Sequence, residues 1–378
     1  MNRSSGKKIQ ENRLVALDAF RGLTVALMIL VNTPGSWSHV YPFLLHAKWD
    51  GVLPADLVFP FFLFIIGVSM FFSFSKKEDD VSVFWKVGRR VMLIFLIGLV
   101  LNYFPFYHKP FSDLRVMGVL QRIALSYGLA AFLCVKLSWK TLWKVALIML
   151  VGYWILLLIG GSEAPFSIEG NVTTSVDLFL FGQNHMYKGF GIPFDPEGLL
   201  GAIPASVSII FGYLIGLKIK QAIDRVTLMK HLLLIGVVSI SSGLLWSLIF
   251  PLNKPIWSSS YVLFTGGVAS VCLALLIGLI DIKGYQKWAK PSLVFGINPL
   301  ILYVISILLV KIMIHVVWWA DSATAKVTTL YGWIYRNVFV EISPSNLEFA
   351  SLLFALSMVL LCWGFGAVLY KRKIIIKI

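Results

Sequence analysis

Charged residues are scarce in this sequence. Asp, Glu, Lys and Arg make up only 13% of the 378 residues, whereas a soluble domain carries about 25%. Because 58% of the residues are hydrophobic, the chain has too little polar surface to cover a globule in water. The composition therefore excludes an ordinary soluble protein and indicates an integral membrane protein.

The motifs of several common chemistries are missing as well. The sequence contains no GxxxxGK, HExxH or CxxC motif, and no GxSxG in the context of a hydrolase nucleophile. Its three cysteines lie in apolar segments, at spacings that fit neither a disulfide framework nor a metal site. The net charge of +15 comes from short basic clusters between apolar runs, so we expect neither a metal nor a nucleic acid partner.

Long apolar runs dominate what is present. A helix needs about 20 apolar residues to cross the hydrocarbon core, and strand-like alternation is absent. We therefore predict an all-α polytopic membrane protein with about ten transmembrane helices. The predicted spans are 14–33, 54–75, 84–105, 115–136, 141–160, 197–218, 230–250, 258–280, 292–315 and 347–370.

The basic residues predict the orientation of these spans. With a cytoplasmic N-terminus, cytoplasmic segments hold 23 of the 33 Lys and Arg residues and outer segments hold eight. Cytoplasmic loops carry the excess of positive charge, so we predict that both termini are cytoplasmic. No signal peptide or second domain is recognisable, which predicts a leader over 1–13 and one transmembrane domain over 14–378. The predicted outer loops are 34–53, 106–114, 161–196 and 316–346.

Ionisable side chains within a span cost about 3 kcal/mol each in lipid and therefore mark functional candidates. Asp18 and Arg21 share a helix face in the first span and are able to pair. They form either a structural ion pair or a contact for an anionic ligand. Gln121 and Arg122 lie deep in the fourth span, where an arginine needs a partner or a water-filled cavity.

Other polar residues lie at the predicted outer ends of spans. His46 and Asp56 flank a short connection into the second span, where Asp56 also fits a helix cap. Asn32 precedes Thr-Pro-Gly and fits a helix terminator equally well. Acidic residues begin the sixth span, and an Asn-Pro pair interrupts the ninth, which is tolerated where backbone lines a cavity.

Several stretches, in the same order, resemble one family. They are LDAFRGLTVALMILVN, LLHAKWDGVLPADLVFPFFLFIIGVS, RVMGVLQRIALSYG, FDPEGLLGAI, WSSSYVLFTGG and LYKRKIIIKI. Together they resemble heparan-α-glucosaminide N-acetyltransferase, in particular its short bacterial, NagX-type relatives. The resemblance extends from about residue 13 to the end of the chain.

This resemblance implies a transmembrane acetyltransferase that uses cytoplasmic acetyl-CoA to acetylate a glucosamine-type amino sugar on the other side. It also implies a bacterial inner-membrane location, a periplasmic mouth of the active site, and a homodimer. The essential histidine and asparagine of the family match His46 and Asn32, and the carboxylate of its ADLVFP motif matches Asp56.

Acyl transfer to an amine needs a base and a donor to the oxyanion, and these three residues are suited to such roles. Histidine is suited to act as a base near neutral pH, an asparagine amide is able to stabilise an oxyanion, and a carboxylate orients a histidine in catalytic triads. We therefore predict that His46 is the base, Asn32 the donor and Asp56 the orienting group. A covalent acetyl-His46 intermediate is the alternative mechanism.

The remaining polar candidates are assigned to the two substrates. Because phosphates need cations, the predicted contacts for acetyl-CoA are Asp18, Arg21, Arg89, Arg90, Gln121 and Arg122. The predicted contacts for the sugar are Asp195, Glu197, Asn298 and His185. A transporter for an amino sugar or its N-acetylated form is the alternative function, since in-span charges and a broken helix also suit transport. A membrane scaffold would neither acetylate nor transport.

Overall fold

The computed structural model describes residues 14–74, 80–107, 110–320 and 327–376 of the chain. The predicted leader over 1–13 lies outside these ranges. The helices are α1 (Val15–Asn32), α2 (Val58–Phe74), α3 (Asp80–Tyr103), α4 (Val119–Lys136), α5 (Trp139–Gly160), α6 (Val172–Phe181), α7 (Ala202–Gln221), α8 (Arg225–Ser247), α9 (Ser259–Leu276), α10 (Lys290–Ile297), α11 (Pro299–His315), α12 (Leu330–Ile334) and α13 (Leu347–Lys371).

The all-α polytopic fold predicted from the sequence is confirmed. All ten predicted spans lie on helices, and the described residues contain eight helices that are long and apolar enough to cross a membrane. The bent pair α10–α11 makes nine if it counts as one span. The tenth segment is α3, which has 24 residues but carries Lys86, Arg89 and Arg90 in its first half.

The ninth predicted span is broken where the sequence places its Asn-Pro pair. The axes of α10 and α11 meet at an angle of 86°, because Pro299 has no backbone N–H to continue the helical ladder. Asn298 stabilises the break from the side. Its Nδ2 donates to the Ile374 carbonyl and its Oδ1 accepts from the Ile376 N–H, both at 2.9 Å.

Burial separates the helices into an inner and an outer group. In α1, α4 and α7 between 56% and 61% of the span is buried, and in α2 the fraction is 67%. In α5, α8 and α13 it is only 22–28%, and their exposed residues are largely Leu, Ile and Val. An apolar exposed face suits contact with lipid chains. The inner helices therefore provide the walls for any polar site.

Close contact between α2 and α7 depends on two glycines that face each other. A Cβ atom on Gly67 would lie 1.9 Å from the Ile209 carbonyl oxygen, and one on Gly212 would lie 1.9 Å from the Phe64 carbonyl oxygen. Small residues allow the backbones of membrane helices to approach closely. The two helices consequently pack backbone against backbone, which fixes the position of α2 and of the segment before it.

Two of the predicted outer loops contain secondary structure of their own. The loop 161–196 includes α6, and the loop 316–346 includes α12 and two short antiparallel strands, β1 (Trp318–Ala320) and β2 (Val327–Thr329). A turn of 3-10 helix over Pro54–Leu57 leads directly into α2. These short elements lie at the end of the bundle where α1 ends and α2 begins.

The G212A variant is expected to be less stable than the wild type by about 1–3 kcal/mol, the usual cost of overpacking. Thermal unfolding of the detergent-solubilised protein measures the change. G364A is the matched control, because a Cβ there meets no atom within 4 Å. Alanine favours a helix interior over glycine by about 1 kcal/mol, so G364A should be neutral or stabilising, and equal melting temperatures for both variants would refute the packing argument.

Candidate active site

A cavity of about 550 Å³ opens where α1 ends and α2 begins. We call it the histidine cavity. Its polar lining consists of Asn32, His46, Asp56, Arg115, Glu197 and Lys254, and its aromatic lining consists of Trp37, Phe59, Tyr187, Phe190, Trp257 and Tyr303. The cavity therefore combines ionisable groups with flat apolar surfaces, as a site for a small polar ligand does.

The carboxylate of Asp56 is only 1% exposed and is surrounded by donors. Its Oδ2 accepts hydrogen bonds from the backbone N–H groups of Ala47 and Leu53, both at 3.0 Å. Its Oδ1 lies 2.8 Å from His46 Nδ1 and 3.2 Å from Lys254 Nζ. Four donors around one carboxyl group favour its ionised form, so a buried negative charge lies beside the imidazole.

This contact favours one tautomer of neutral His46. An ionised carboxylate only accepts hydrogen bonds, so His46 Nδ1 carries the hydrogen and donates it to Asp56. Nε2 of the neutral ring is then free of hydrogen and able to accept a proton. His46 and Asp56, which the sequence placed on either side of a short connection, are thus in direct contact.

Lys254 brings a third charge to the same place. Its Nζ lies 3.0 Å from His46 Nδ1 and 3.4 Å from Nε2, beside the ring. Burial is the largest effect on the pKa of Lys254 and lowers it overall, although the Asp56 carboxylate opposes that change. From the sequence alone, this lysine counts only as one of the few outer basic residues.

The loop that carries Lys254, between α8 and α9, is tied to the segment that carries His46. Asn253 is fully buried, and its Nδ2 donates to Asp50 Oδ1 at 3.1 Å. The Gly51 N–H donates to the Leu252 carbonyl at 2.7 Å. Trp257, with a φ of 52°, closes the loop beneath the cavity, and its Nε1 donates to Ser208. The loop that carries Lys254 is therefore anchored by hydrogen bonds on both sides of the lysine.

Asn32 lies at the last position of α1 and also lines the histidine cavity. One hydrogen of its amide nitrogen is donated to the Met28 carbonyl at 2.7 Å. The same nitrogen carries a second hydrogen that this bond does not use. Asn32 thus combines the helix-end role with a donor at the cavity.

Another part of the cavity wall is built on Arg115. Its Nε and Nη2 contact the two oxygens of Asp195 at 2.9 and 2.7 Å, and Nη2 also contacts Glu197 Oε2 at 2.6 Å. Burial lowers the pKa of Arg115, but the two carboxylates outweigh that effect and raise it overall. Both oxygens of the buried Asp195 are occupied by this pair, so Asp195 supports the wall, whereas Glu197 lines the cavity.

A second cavity of about 470 Å³ lies further along the same helices. We call it the arginine cavity, because Arg21 and Arg90 are its charged residues in an otherwise largely apolar lining. Arg21 pairs with Asp18 at 3.2 Å, as the i, i+3 spacing predicted, and donates to Ser69 Oγ at 2.8 Å. Arg90 stacks on Tyr127, and its buried Nε has no hydrogen-bond partner among the described residues.

The two cavities share the inner helices α1, α2 and α4. On α2, Phe59 lines the histidine cavity and Phe62 lines the arginine cavity. On α4 the corresponding residues are Val119 and Ile123, one helical turn apart. The cavities are therefore neighbours along one bundle axis and lie towards its opposite ends.

Several residues that the sequence analysis proposed as ligand contacts lie outside both cavities. Gln121 packs against Gly98 and Gly118 and points towards α3. Arg89 is exposed and lines neither cavity. Side-chain orientation on a helix decides such placements, and the apolar pattern of the sequence does not resolve it.

Arg122 is also behind the histidine cavity rather than in its lining. It is 1% exposed, donates from Nη2 to the Gly198 carbonyl at 3.0 Å and stacks on Trp257. Its Nε and Nη1 are buried without a hydrogen-bond partner among the described residues. The sequence predicts a partner or a water-filled cavity for this deep arginine, and its partners are an aromatic ring and a carbonyl group.

Two predicted sugar contacts also require correction. Asn298 binds the C-terminal segment, at the end of the bundle that holds the arginine cavity, so its placement in the outer pocket is wrong. His185 contacts the Leu114 carbonyl at 2.7 Å and does not line the histidine cavity. It therefore supports the segment before Arg115.

Sequence reasoning missed Lys254 and Arg115, although a signal was present. Lys254 lies in a predicted outer connection and Arg115 at the outer end of the fourth predicted span, and basic residues are scarce on that side of membrane proteins. An isolated cation on that side contributes little to orientation and so indicates a specific partner. The partners themselves are 198 and 80 residues distant in the chain.

Residues 13–179 of the chain match a family model described as heparan-alpha-glucosaminide N-acetyltransferase, catalytic. The chain is 29% identical to the human heparan-alpha-glucosaminide N-acetyltransferase over 357 residues, which cover 77% of this chain and 52% of the human protein. It is 28% identical to the mouse enzyme over 364 residues, which cover 79% and 54% of the two chains.

The predicted resemblance to heparan-alpha-glucosaminide N-acetyltransferase is confirmed. The chain spans about half the length of these curated relatives. The region matched by the family model contains Asn32, His46 and Asp56 as well as Arg21 and Arg90. Lys254 lies beyond that region.

Asp177 in α6 supports the segment that carries Asp195 and Glu197. Its Oδ1 accepts from the Leu199 N–H at 3.0 Å, and the carboxyl group is 1% exposed. Burial raises the pKa of Asp177 to about 6, an effect that the Leu199 hydrogen bond opposes and nearby Asp195 reinforces. The folded protein consequently binds this proton more tightly than the unfolded chain does.

The D177N variant should therefore be more stable than the wild type at pH 7 and equal to it near pH 4. A raised pKa in the folded state means that the free energy of unfolding falls as pH rises from about 4 to 6 and is constant above that window. The shift corresponds to at most about 3 kcal/mol. Thermal unfolding between pH 4 and 8 tests this; E169Q, at an exposed acid, should show no such pH-dependent difference.

Proposed function

We propose that this chain is a membrane acetyltransferase that transfers the acetyl group of acetyl-CoA to the amino group of a glucosamine-type sugar. The observation that carries the proposal is the pair of neighbouring cavities on one set of helices, one with two arginines and the other with His46, Asp56 and Asn32. The similarity to the heparan-alpha-glucosaminide N-acetyltransferases supports the same conclusion.

The arginine cavity suits the donor. Acetyl-CoA combines anionic phosphates with a long, mostly uncharged arm. Arg21 and Arg90 offer guanidinium groups, which bind phosphate through charge-assisted hydrogen bonds, and the buried Nε of Arg90 is a donor without a partner among the described residues. The apolar lining from α1, α2 and α4 suits the arm. In the proposed orientation this cavity faces the cytoplasm.

The histidine cavity suits the acceptor. Flat aromatic side chains such as Trp37 and Tyr187 offer surfaces for a sugar ring, and the Glu197 carboxylate is able to accept from a hydroxyl or amine. In the proposed orientation this cavity opens on the periplasmic side. The amine is thereby placed at the face of the membrane opposite the donor pool.

His46 is the base in this reaction. The amine nitrogen forms a bond to the acetyl carbon, while His46 Nε2 accepts a proton from that nitrogen. The carbon–sulfur bond then breaks, and the proton passes to the departing sulfur to give free CoA. The second amide hydrogen of Asn32 is available for the oxyanion that forms at the acetyl carbonyl.

Sealed membrane vesicles test the reaction with acetyl-CoA at the cytoplasmic face and glucosamine at the other. The wild type should produce N-acetylglucosamine, and H46A should lower kcat by about 10²–10⁴, the usual contribution of a general base. H39A is the control, because His39 lies in the same loop but outside the cavity. Passage of unmodified glucosamine that persists in H46A would instead identify a transporter.

The donor site is tested by comparing two adjacent arginines. R90Q should raise the KM for acetyl-CoA by about tenfold or more, because a hydrogen bond to a charged group contributes roughly 1.5–3 kcal/mol. R89Q removes the same charge one residue earlier, at an exposed position outside the cavity. Equal KM values for R89Q and R90Q would contradict a donor site at the arginine cavity.

A further inference from the structure

Lys254 neutralises the negative charge that would otherwise act on His46. The Asp56 carboxylate is buried and needs a counter-charge, and the Lys254 ammonium supplies one at 3.2 Å from Oδ1. Without Lys254, the nearest group able to balance the charge of Asp56 would be a protonated His46 imidazole, whose Nδ1 lies 2.8 Å from the same oxygen.

The ammonium also acts directly on the ring. It lies within 3.4 Å of both nitrogens of His46, and a positive charge at that distance disfavours a second one on the imidazole. Neutralisation of Asp56 and repulsion of the imidazolium therefore work in the same direction. Both favour a neutral ring with Nε2 free to accept a proton.

We infer that Lys254 is a positioning residue that keeps His46 neutral and therefore able to act as a base. The inference deepens the proposed function and rests on it for its catalytic meaning. Lys254 acts through its contacts with His46 and Asp56 and does not need to touch the reacting atoms.

The other charged and titratable groups around the cavity do not replace Lys254. Arg115, from the segment before α4, is engaged by Asp195 and Glu197. Tyr187 and Tyr303 complete the titratable lining. In the segment of His46 itself, Lys48 and Asp50 are exposed, and Asp50 accepts a hydrogen bond from Asn253. Among the described residues, Lys254 is the cation within salt-bridge distance of Asp56.

The protonation state of His46 is measured by its reaction with diethyl pyrocarbonate, which modifies the unprotonated imidazole and not the imidazolium. The purified full-length protein in detergent is treated between pH 5 and 8, and modification of the His46 peptide is quantified by mass spectrometry. In K254M the pH of half-maximal modification should rise by at least about one unit, a tenfold slower reaction on the acidic side. K254R, which keeps the charge, should retain the wild-type profile.

Two comparisons make the result specific. His39, measured in the same samples, should show no shift in any variant. The double variant D56N/K254M should lose the upward shift, because the carboxylate that attracts the proton is gone. If K254M is not recovered folded, K254Q carries the same expectation. A His46 profile in folded K254M or K254Q that coincides with the wild type would overturn the inference.

The modification reaction needs neither acetyl-CoA nor a sugar, so its outcome is separate from that of the proposed function. A shift at His46 in a protein that transfers no acetyl group would support the effect of Lys254 on His46 and contradict the proposed acetyltransferase activity. Acetyl transfer that depends on His46, with no shift in folded K254M, would reject only the role of Lys254. In an active enzyme, the acidic limb of kcat/KM should move together with the modification profile.

Discussion

A single buried carboxylate, that of Asp56, determines the geometry of the site. A charge so far from water is tolerated only when donors surround it. Here these donors come from three places in the chain: the loop before α2, the first turn of the segment that leads into α2, and the loop between α8 and α9. The loops are thus arranged around the charge, and the imidazole is one of its ligands.

Packing of the inner helices keeps that carboxylate in position. Asp56 lies one turn before α2, and α2 is locked to α7 by the facing glycines Gly67 and Gly212. The Tyr261 hydroxyl of α9 donates to the Asp56 backbone carbonyl. Close packing of the inner helices therefore fixes the position of a side chain at their end. The outer helices α5, α8 and α13 present apolar faces suited to lipid.

The sequence predicts those features that depend on nearby residues. Hydropathy locates the helices because an apolar run of sufficient length is a local property, and the proline break at Asn298 is equally local. The contact of His46 with Asp56 was within reach because only a short connection separates them. Lys254 is 208 residues from His46, and no periodicity connects the two. Gln121 and Arg122 lie outside both cavities for another reason. The sequence predicts how deep they lie in a helix, but the direction in which each side chain points depends on its neighbours.

The shared walls of the two cavities have a consequence for inhibitors. Arg21 and Asn32 lie eleven positions apart on α1, which is about 16 Å along a helix axis. Under the proposed function, a compound with an anionic head for the arginines, an amino sugar for the histidine cavity and a slender apolar linker of that length would contact α1, α2 and α4 together. Each end would raise the effective concentration of the other. Weak ligands for the separate cavities would then combine into one tight-binding molecule.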